Sequence, residues 1–352
     1  MFIIAAAGPV KALLAITISL HPGTHHVPDS YTVQQGDSLS AIAAHTYGKA
    51  ADWPAVWWVN RHQVANPNLL AAGQRLRLPI HPRARVYGLP LIGSHVGADA
   101  AACLLATGLA DSDAVAAVLD IGTNTEVVVG NRRRILAASC PAGPAFEGGG
   151  VACGMPALEG AVERVRIRDD GTLETRTVGE HPPLGVCGSG LVDLLSELRR
   201  TQGMNEQGRL TDERDRFVID AGHDLYLSEE DINQLAQAKG ANVAGLAIVL
   251  ESYGLGLDSV ERLYLAGGFS RHMDVDAARR IGLIPDIPSP RIVRVGNAAL
   301  EGVGIALRSV ARRSALETIV RRIEHVRLET HPRFFDIFVD GCQFVPFRGQ
   351  AA

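Results

Sequence analysis

The sequence predicts an α/β protein in which a small βααβ module precedes a larger domain. Three strand-like runs end in Gly-containing turns: the apolar run Ala114–Leu119 before Asp120, Arg262–Leu265 before Ala266-Gly267-Gly268, and Arg291–Val295 before Gly296. Such runs are typical of buried strands, and glycines at strand ends let a ligand approach the backbone closely. The third junction opens an Ala-rich helix. These observations predict a strand-end cleft within the larger domain.

Length and composition indicate a globular chain with more than one domain. At 352 residues, 47% of them hydrophobic, the chain is long enough for two or three domains with a sizeable core. Its 34 basic and 38 acidic residues give a net charge of −4. No bulk positive field is therefore present to attract nucleic acid, which we do not expect as a partner.

The five cysteines argue against a disulfide framework. Their number is odd, their spacing is wide, and no Cys-x-x-Cys pair is present. We expect small, mostly buried side chains in a reducing compartment. A catalytic thiol stays a minor alternative for Cys140 or Cys187, because both lie in Gly-rich loops.

The N-terminal segment 1–22 is hydrophobic and leads into a linker over residues 23–30. It borders on the length of a membrane span, yet Lys11 near its centre would be costly in hydrocarbon. Membrane anchoring through residues 2–20 and burial against the protein are therefore both open.

Residues 31–80 form a predicted module of their own. Tyr31-Thr32-Val33 reads as a strand, and Ser38 as the N-cap of a helix that directs Leu39 and Ile42 inward. A second helix is predicted around Trp53–Val59, followed by a turn and a closing strand over Gln74–Leu78.

This module resembles the lysin motif (LysM), whose family binds N-acetylglucosamine polymers such as peptidoglycan and chitin. The resemblance places glycan contacts in two loops, at Gly36, Asp37, Ser38, Pro67, Asn68 and Leu69. The tryptophans offer another possible sugar platform. Because Trp53 and Trp57 share one helical face, core packing is the favoured interpretation for that pair.

After a linker at residues 81–88, the stretch Asp120–Glu126 is the centre of the second domain. A strand delivers the Asp120 carboxylate to a tight turn, where backbone N–H groups and hydroxyls converge. That arrangement suits a phosphate, and Asp120 would hold Mg²⁺ through water. An ordinary hairpin turn is the alternative. Asp99, at a helix start, is either a cleft residue or a simple first-turn acid.

Taken in order, Asp-Ile-Gly-Thr, Ala-Gly-Gly-Phe and Gly-Asn-Ala-Ala-Leu-Glu-Gly resemble motifs of the sugar kinase/heat-shock-protein/actin superfamily. The resemblance implies an actin-like (ribonuclease H-like) ATPase lobe with ATP and Mg²⁺ as cofactors and Asp120 as catalytic and metal-binding residue. The nucleotide contacts it implies are Gly122, Thr123, Asn124, Thr125, Glu147, Gly267, Gly268, Phe269, Gly296 and Asn297. Glu147, alone in a Gly/Pro loop, is either catalytic or simply solvated; Lys239 either faces the nucleotide or is solvated.

Residues 89–348 further resemble the C-terminal domain of reductive activators of corrinoid proteins. The motifs that carry this resemblance are Cys140-Pro141-Ala142-Gly143-Pro144-Ala145-Phe146-Glu147-Gly148, Gly185-Val186-Cys187-Gly188-Ser189-Gly190, Ile281-Gly282-Leu283-Ile284-Pro285 and His331-Pro332-Arg333-Phe334-Phe335. The resemblance implies ATP-dependent reduction of cobalt(II) to cobalt(I), with a corrinoid protein of a methyltransferase system as partner.

Two features of the family are not found in the sequence. Residues 1–119 contain no second Asp-x-Gly-Thr loop, so we expect a half-built nucleotide site. The cysteines lie far apart, so no iron–sulfur cluster is expected. The activator resemblance favours a cytoplasmic location, whereas LysM and the hydrophobic N-terminus suggest membrane or wall. The alternative function is a wall-associated LysM protein with a non-catalytic actin-like domain.

Overall fold

The computed structural model describes residues 4–5, 14–15, 30–78, 87–93, 95–211, 215–268 and 270–349. The described residues fall into two compact units that separate between Gly88 and Leu89. Two short strands, β1 (Ile4–Ala5) and β2 (Leu14–Ala15), pair antiparallel. Otherwise the hydrophobic segment 1–22 and nearly all of the linker 23–30 lie outside the described residues.

Within the described ranges, we find no helix with the length and apolarity needed to cross a membrane.

The N-terminal module has the βααβ order that the sequence predicts. Strand β3 (Ser30–Thr32) pairs antiparallel with β4 (Arg75–Arg77), and helices α1 (Leu39–Tyr47) and α2 (Trp53–Asn60) lie between them in the chain. The Ser38 hydroxyl accepts from the Ala41 N–H and caps α1, as its position before the apolar helix predicts. The core of the module consists of Val33, Leu39, Ile42, Ala43, Tyr47, Val56, Val64 and Leu76.

The tryptophans of α2 have different environments. Trp53 and Trp57 pack against the module core, and the Trp57 indole N–H donates to the Val64 carbonyl at 2.9 Å. Trp58 is 60% exposed and is covered on one face by the Arg61 guanidinium, 4.1 Å from the ring centroid. Core packing of Trp53 and Trp57 is therefore the arrangement that the structure has.

A six-stranded sheet forms the centre of the larger unit. Its strands are β5 (Ala116–Ile121), β6 (Thr125–Gly130), β7 (Ile135–Cys140), β13 (Arg262–Ala266), β14 (Ile292–Gly296) and β15 (Glu324–His325). They lie in the order β14-β13-β5-β6-β7-β15. Strands β5, β13 and β14 run parallel, β6 is antiparallel to β5 and β7, and β15 is parallel to β7. This mixed sheet confirms the predicted α/β class.

Alternation along β5 gives the sheet two buried faces. Ala117, Leu119 and Ile121 enter one core, and Ala116 and Val118 enter the other, as a strand period of two requires. The first core also includes residues of α4 (Gly188–Arg200) and α5 (Glu229–Tyr253). The second includes residues of α3 (Ala98–Thr107) and α7 (Ala298–Arg308).

Helices α3 and α7 pack unusually close to each other. A side chain at Gly302 of α7 would overlap the carbonyl oxygen of Ala102 in α3. Glycine at this position lets the two helix backbones approach directly. The packing fixes α3 over the sheet, and therefore fixes its residues Asp99 and Cys103.

The remaining elements lie between and after the central strands. Strands β8 (Ala161–Ile167), β9 (Leu173–Thr177) and β10 (Gly185–Val186) form a three-stranded sheet, and β11 (Arg216–Asp220) and β12 (Leu225–Ser228) form a hairpin. The remaining helices are α6 (Val275–Arg280), α8 (Val310–Val320) and α9 (Phe334–Gly341).

Lys239 fits neither interpretation that the sequence offered. Its side chain is 1% exposed, so it is not solvated, and its amine donates to the carbonyls of Gly341 and Gln343. It also lies over the ring of Phe344, 5.7 Å from the centroid. Burial lowers the pKa of this amine to about 7. Among the described residues, Lys239 therefore holds the C-terminal segment onto α5.

Candidate functional site

Asp120 lies at the carboxyl end of β5, on the edge of the sheet where β13 and β14 also end. Because these three strands are parallel, their carboxyl ends meet at one edge. The turn 122–124 follows β5, Gly267 and Gly268 follow β13, and Gly296 and Asn297 connect β14 to α7. Tertiary structure thus brings the three predicted junctions together. Phe269 lies outside the described residues.

The junctions are in direct backbone contact at Gly267. This residue has φ +101°, and a Cβ atom there would overlap the carbonyl oxygen of Ile121. Its N–H donates to the Gly296 carbonyl at 3.0 Å, and its carbonyl accepts from the Ser270 hydroxyl at 2.8 Å. Only glycine combines this φ with such an approach, so the strand ends form a close-packed floor of backbone.

Asp120 is half-buried in an acidic environment. Burial raises the pKa of its carboxyl to about 6; the nearby charge of Asp99 raises it as well, and a hydrogen bond from Cys103 opposes the shift. The Cys103 thiol donates to Oδ2 of Asp120 at 3.4 Å. Glu126 lies directly opposite Asp120 on β6 and is 8% exposed. The site therefore concentrates carboxylates where a cation would compensate their charge.

Glu147 lies at the turn although 24 residues separate it from Thr123. The loop after β7 forms a short 3₁₀ helix, Ala145–Glu147, which returns the carboxylate to the turn. The Thr123 hydroxyl donates to Oε2 of Glu147 at 2.5 Å, and the Gly143 N–H donates to the Thr123 carbonyl at 2.8 Å. The Gly/Pro loop is thus attached to the turn at two points.

Two other predicted contacts have specific environments. Thr125 is fully buried, and its hydroxyl has no hydrogen-bond partner among the described residues. Strand alternation directs it to the opposite face of the sheet from Asp120 and Glu126. The Asn297 side chain accepts from the Leu300 N–H at 2.9 Å, so it caps α7, and the residue is exposed at the sheet edge.

Sequence reasoning missed the role of Cys103 and left that of Asp99 undecided. The sequence predicts only that Cys103 is buried, because its contact with Asp120 depends on how α3 packs over β5. A usable signal for Asp99 was its position in the first turn of a helix next to the predicted site. For Cys103 the sequence offers no comparable signal.

These side chains fit a magnesium–nucleotide ligand. Within the described ranges, no three His, Cys, Asp or Glu side chains converge as a metal-ligand cluster. Mg²⁺ in nucleotide sites is commonly held by one or two carboxylates, with phosphates and water completing its shell. Asp120 would supply such a carboxylate, and phosphate oxygens would approach the backbone at the glycine turns.

The predicted glycan residues lie in two surface loops of the module. Gly36 has φ +89°, and Asp37 accepts from the Tyr31 hydroxyl at 2.9 Å and the Gln34 N–H at 2.7 Å. Asn68 is exposed, and Leu69 is 72% exposed. Asp37 therefore has a clear structural role in its loop, whereas the second loop presents unburied side chains. Ser38 caps α1, and Pro67 is half-buried.

Comparison with known families assigns both units. Residues 114–349 match the family described as the C-terminal domain of RACo, the ASKHA domain, and residues 31–79 match the LysM domain. The actin-like fold and the LysM module are thereby confirmed.

Relatives and a solved structure agree with this assignment. The corrinoid activation enzyme RamQ of Eubacterium limosum is 31% identical over 296 residues, which cover 77% of this chain and 49% of RamQ. The [Co(II) methylated amine-specific corrinoid protein] reductase of Methanosarcina barkeri is 26% identical, over 71% of this chain and 50% of the reductase. A reductive activator for a corrinoid, iron-sulfur protein superposes with a TM-score of 0.68 at 36% identity, over 73% of this chain and 44% of its own. The chain spans about half the length of the curated relatives it matches.

Proposed function

Because this chain belongs to the family defined by the C-terminal ASKHA domain of RACo, we propose that it binds Mg²⁺–ATP and takes part in reductive activation of a corrinoid protein. The observation that carries the proposal is the convergence of Asp120, the 122–124 turn and the glycines 267 and 296 at one sheet edge. Two relatives are a corrinoid activation enzyme and a corrinoid protein reductase, which supports the same reaction class.

The roles follow from the chemistry of each residue. Asp120 is proposed to hold Mg²⁺, while the backbone of residues 122–124, Gly267, Gly268 and Gly296 contacts phosphate and nucleoside. Asn297 and Thr123 are further polar groups at this edge, and Glu147 is proposed to orient the attacking water. Bound Mg²⁺–ATP would supply the free energy of ATP hydrolysis, and the reaction that this would serve is reduction of cobalt(II) to cobalt(I). Phe269 and Thr125 stay predictions.

Electron supply is proposed to come from a separate iron–sulfur protein or domain. Four of the five cysteines are buried, and all five are free thiols in the described chain. Their positions in different elements do not bring ligands together as a two-iron cluster requires. We therefore expect purified protein to stay colourless after reconstitution with iron and sulfide. A stoichiometric visible absorption band of a two-iron cluster would contradict this part of the proposal.

The LysM module supports a second candidate function, attachment to peptidoglycan or chitin. The specific observation is the exposed second loop, with Asn68 and Leu69 unburied next to the half-buried Pro67. Pull-down on peptidoglycan by the wild-type chain and by Asn68→Ala with Leu69→Ala tests this function. Cell fractionation separates the two functions. Recovery of the protein with the cell wall would favour the alternative of a wall-bound protein with a non-catalytic actin-like domain, whereas recovery in the cytosolic fraction would favour the activator.

The decisive experiment is calorimetric titration of ATP with and without Mg²⁺. We expect Mg²⁺-dependent binding that Asp120→Asn weakens at least tenfold. Asp113→Asn is the matched control, because Asp113 is an exposed partner of Arg132 outside the site. Tight binding that is unchanged in Asp120→Asn would refute the nucleotide assignment.

A further inference from the structure

The loop over residues 141–154 brings Glu147 to the proposed nucleotide site and is anchored at both ends. Near its first end, the Gly143 N–H donates to the Thr123 carbonyl at 2.8 Å. Near its far end, the Ala152 N–H donates to Oδ1 of Asp231 at 2.6 Å. Hydrogen bonds to a carboxylate are shorter and stronger than those between neutral groups. Asp231 is therefore a firm attachment point for this Gly- and Pro-rich loop.

Asp231 is itself fixed in the first turn of α5. The residue is 4% exposed, and its Oδ2 accepts from the Ser228 N–H at 3.0 Å and from the Ser228 hydroxyl at 2.8 Å. The Ser228 hydroxyl in turn accepts from the Asp231 N–H at 3.1 Å, which completes a capping box. One oxygen of the carboxylate thus caps the helix, and the other holds the loop.

Backbone contacts connect the position of Ala152 to that of Glu147. Gly148, the next residue after Glu147, has φ +85°, and a Cβ atom there would lie 2.5 Å from the backbone nitrogen of Met155. A Cβ atom at Gly154 would lie 2.7 Å from the Cα of Gly148. The two arms of the loop therefore touch through backbone atoms, with no side chain between them to absorb a shift. A displacement at Ala152 is expected to reach Glu147.

The short 3₁₀ helix that ends at Glu147 has one buried side and one open side. Ala145 and Phe146 belong to the core of the larger unit, whereas Glu147 is exposed. The Glu147 N–H donates to the Pro144 carbonyl at 2.8 Å, and the Gly148 N–H donates to the Ala145 carbonyl at 3.1 Å. Exchange of these amide hydrogens with solvent therefore measures how often the short helix opens.

We propose that Asp231 is a positioning residue for Glu147. By holding the Ala152 N–H, Asp231 fixes the loop so that the Glu147 carboxylate stays at the 122–124 turn. This inference rests on the proposed function, in which Glu147 orients the attacking water. A shift of about 1 Å in such a group slows catalysis strongly, while binding of the nucleotide by other residues is preserved.

Hydrogen exchange of the full chain, resolved to single amides, tests this role without nucleotide. In Asp231→Ala, the amides of residues 147–149 should exchange about tenfold faster than in the wild type, because the loop loses a hydrogen bond to a charged group. Ser228→Ala is the matched control, since it breaks the same capping box and leaves the acceptor of the Ala152 N–H in place. It should loosen the first turn of α5 and leave residues 147–149 unchanged.

Asp231→Ser is a second variant with a smaller change at the start of α5. A hydroxyl has one oxygen where the carboxylate has two, so it cannot serve both the helix cap and the loop as Asp231 does. The amides of residues 147–149 should again exchange faster. Unchanged exchange of these amides in both Asp231 variants would overturn the proposal.

Phosphate release from Mg²⁺–ATP connects the loop to the proposed reaction. Asp231→Ala should lower kcat about tenfold or more and leave KM for ATP within about twofold of the wild type, while Ser228→Ala should keep the wild-type kcat. In the Glu147→Gln background, Asp231→Ala should lower kcat no further, because a positioning residue acts only through the group that it positions. An equal loss of kcat in both backgrounds would overturn the proposal.

The two sets of measurements separate this inference from the function on which it rests. If the wild-type chain binds no Mg²⁺–ATP, the proposed function fails, and faster exchange of residues 147–149 in Asp231→Ala would still show that Asp231 holds the Glu147 loop. If the wild type hydrolyses ATP but Asp231→Ala matches Ser228→Ala in both exchange and kcat, the proposed function stands and the positioning role of Asp231 fails.

Discussion

The Cys103 thiol of α3 donates a hydrogen bond to the Asp120 carboxylate at the end of β5, over 3.4 Å. The two residues meet because α3 packs against α7 at Gly302 and is held over the sheet. This contact covers one side of the carboxylate, and the residue as a whole is half-buried. The protein therefore keeps a charge-bearing group in a place where its ionised form is disfavoured.

The burial of Asp120 predicts a gain in stability when the charge is removed. Its folded-state pKa is about 6, against an ordinary value of 3.8, so the folded state binds the proton more tightly than the unfolded state. Stability from this group is therefore greatest below pH 4 and decreases as pH rises to 6. At pH 7, Asp120→Asn should gain up to about 3 kcal/mol of unfolding free energy.

Urea unfolding of wild type and Asp120→Asn at pH 7 and pH 4 measures this effect. The difference should nearly vanish at pH 4, where the carboxyl is largely protonated. Asp113→Asn should change unfolding free energy by less than about 1 kcal/mol at either pH, because its ion pair is exposed. If Asp120→Asn were less stable than the wild type at pH 7, neighbouring groups would have to compensate the charge of the Asp120 carboxylate in the folded protein.

The contact between Thr123 and Glu147 predicts separate effects on binding and turnover. Glu147→Gln removes a negative charge near the proposed phosphate position, so ATP should bind at least as tightly as in the wild type. Hydrolysis should slow at least tenfold, because an amide does not orient or deprotonate water as a carboxylate does. Calorimetry and phosphate release measure the two quantities. Weaker binding with unchanged turnover would assign Glu147 to nucleotide binding alone.

Lys239 predicts a stability difference that depends on pH. Burial lowers the pKa of its amine from 10.5 to about 7, so the folded state releases the proton earlier than the unfolded state. The energetic cost is full below pH 7 and decreases as pH rises toward 10.5. The wild type should therefore gain about 1 kcal/mol per pH unit relative to Lys239→Met between pH 7 and 9.

Lys49→Met is the matched control, because Lys49 is an exposed lysine of the other unit. Its unfolding free energy should follow that of the wild type over the same pH range. A wild-type advantage over Lys239→Met that is constant between pH 7 and 9 would mean that the buried amine does not titrate in this interval. The hydrogen bonds to the carbonyls of Gly341 and Gln343 would then account for the whole stability difference between the wild type and Lys239→Met.

Trp57 and Trp58 are neighbours in α2 with different environments, so their alanine variants can be compared directly. Trp57→Ala should destabilise the module by about 3 kcal/mol, because the ring packs on its core and its indole N–H bonds the Val64 carbonyl. Trp58→Ala should cost less than about 1 kcal/mol, since the ring is 60% exposed. Hydrogen exchange of amides in residues 30–78 of the full chain measures the loss of unfolding free energy in both variants. Equal losses of protection would contradict the assigned environments.

The sequence alone determined the fold class and the module order, because both follow from local patterns. A short continuous apolar run marks β5, and Ser38 before an apolar run marks the start of α1. The same local chemistry indicated the turn after Asp120 and the glycine junctions. These features need only a few neighbouring residues, so a single sequence carries them in full.

The tertiary structure decided which side chains meet at these junctions. Cys103 and Asp120 are 17 residues apart, and Thr123 and Glu147 are 24 apart. Their contacts depend on helix packing and loop closure, for which the sequence has no periodic signal. For the same reason the sequence does not predict the burial of Lys239, whose hydrogen-bond partners lie more than 100 residues away at Gly341 and Gln343. Burial and charge environment are set by such distant contacts. The pKa shifts of Asp120 and Lys239 therefore follow from the tertiary structure and not from the sequence alone.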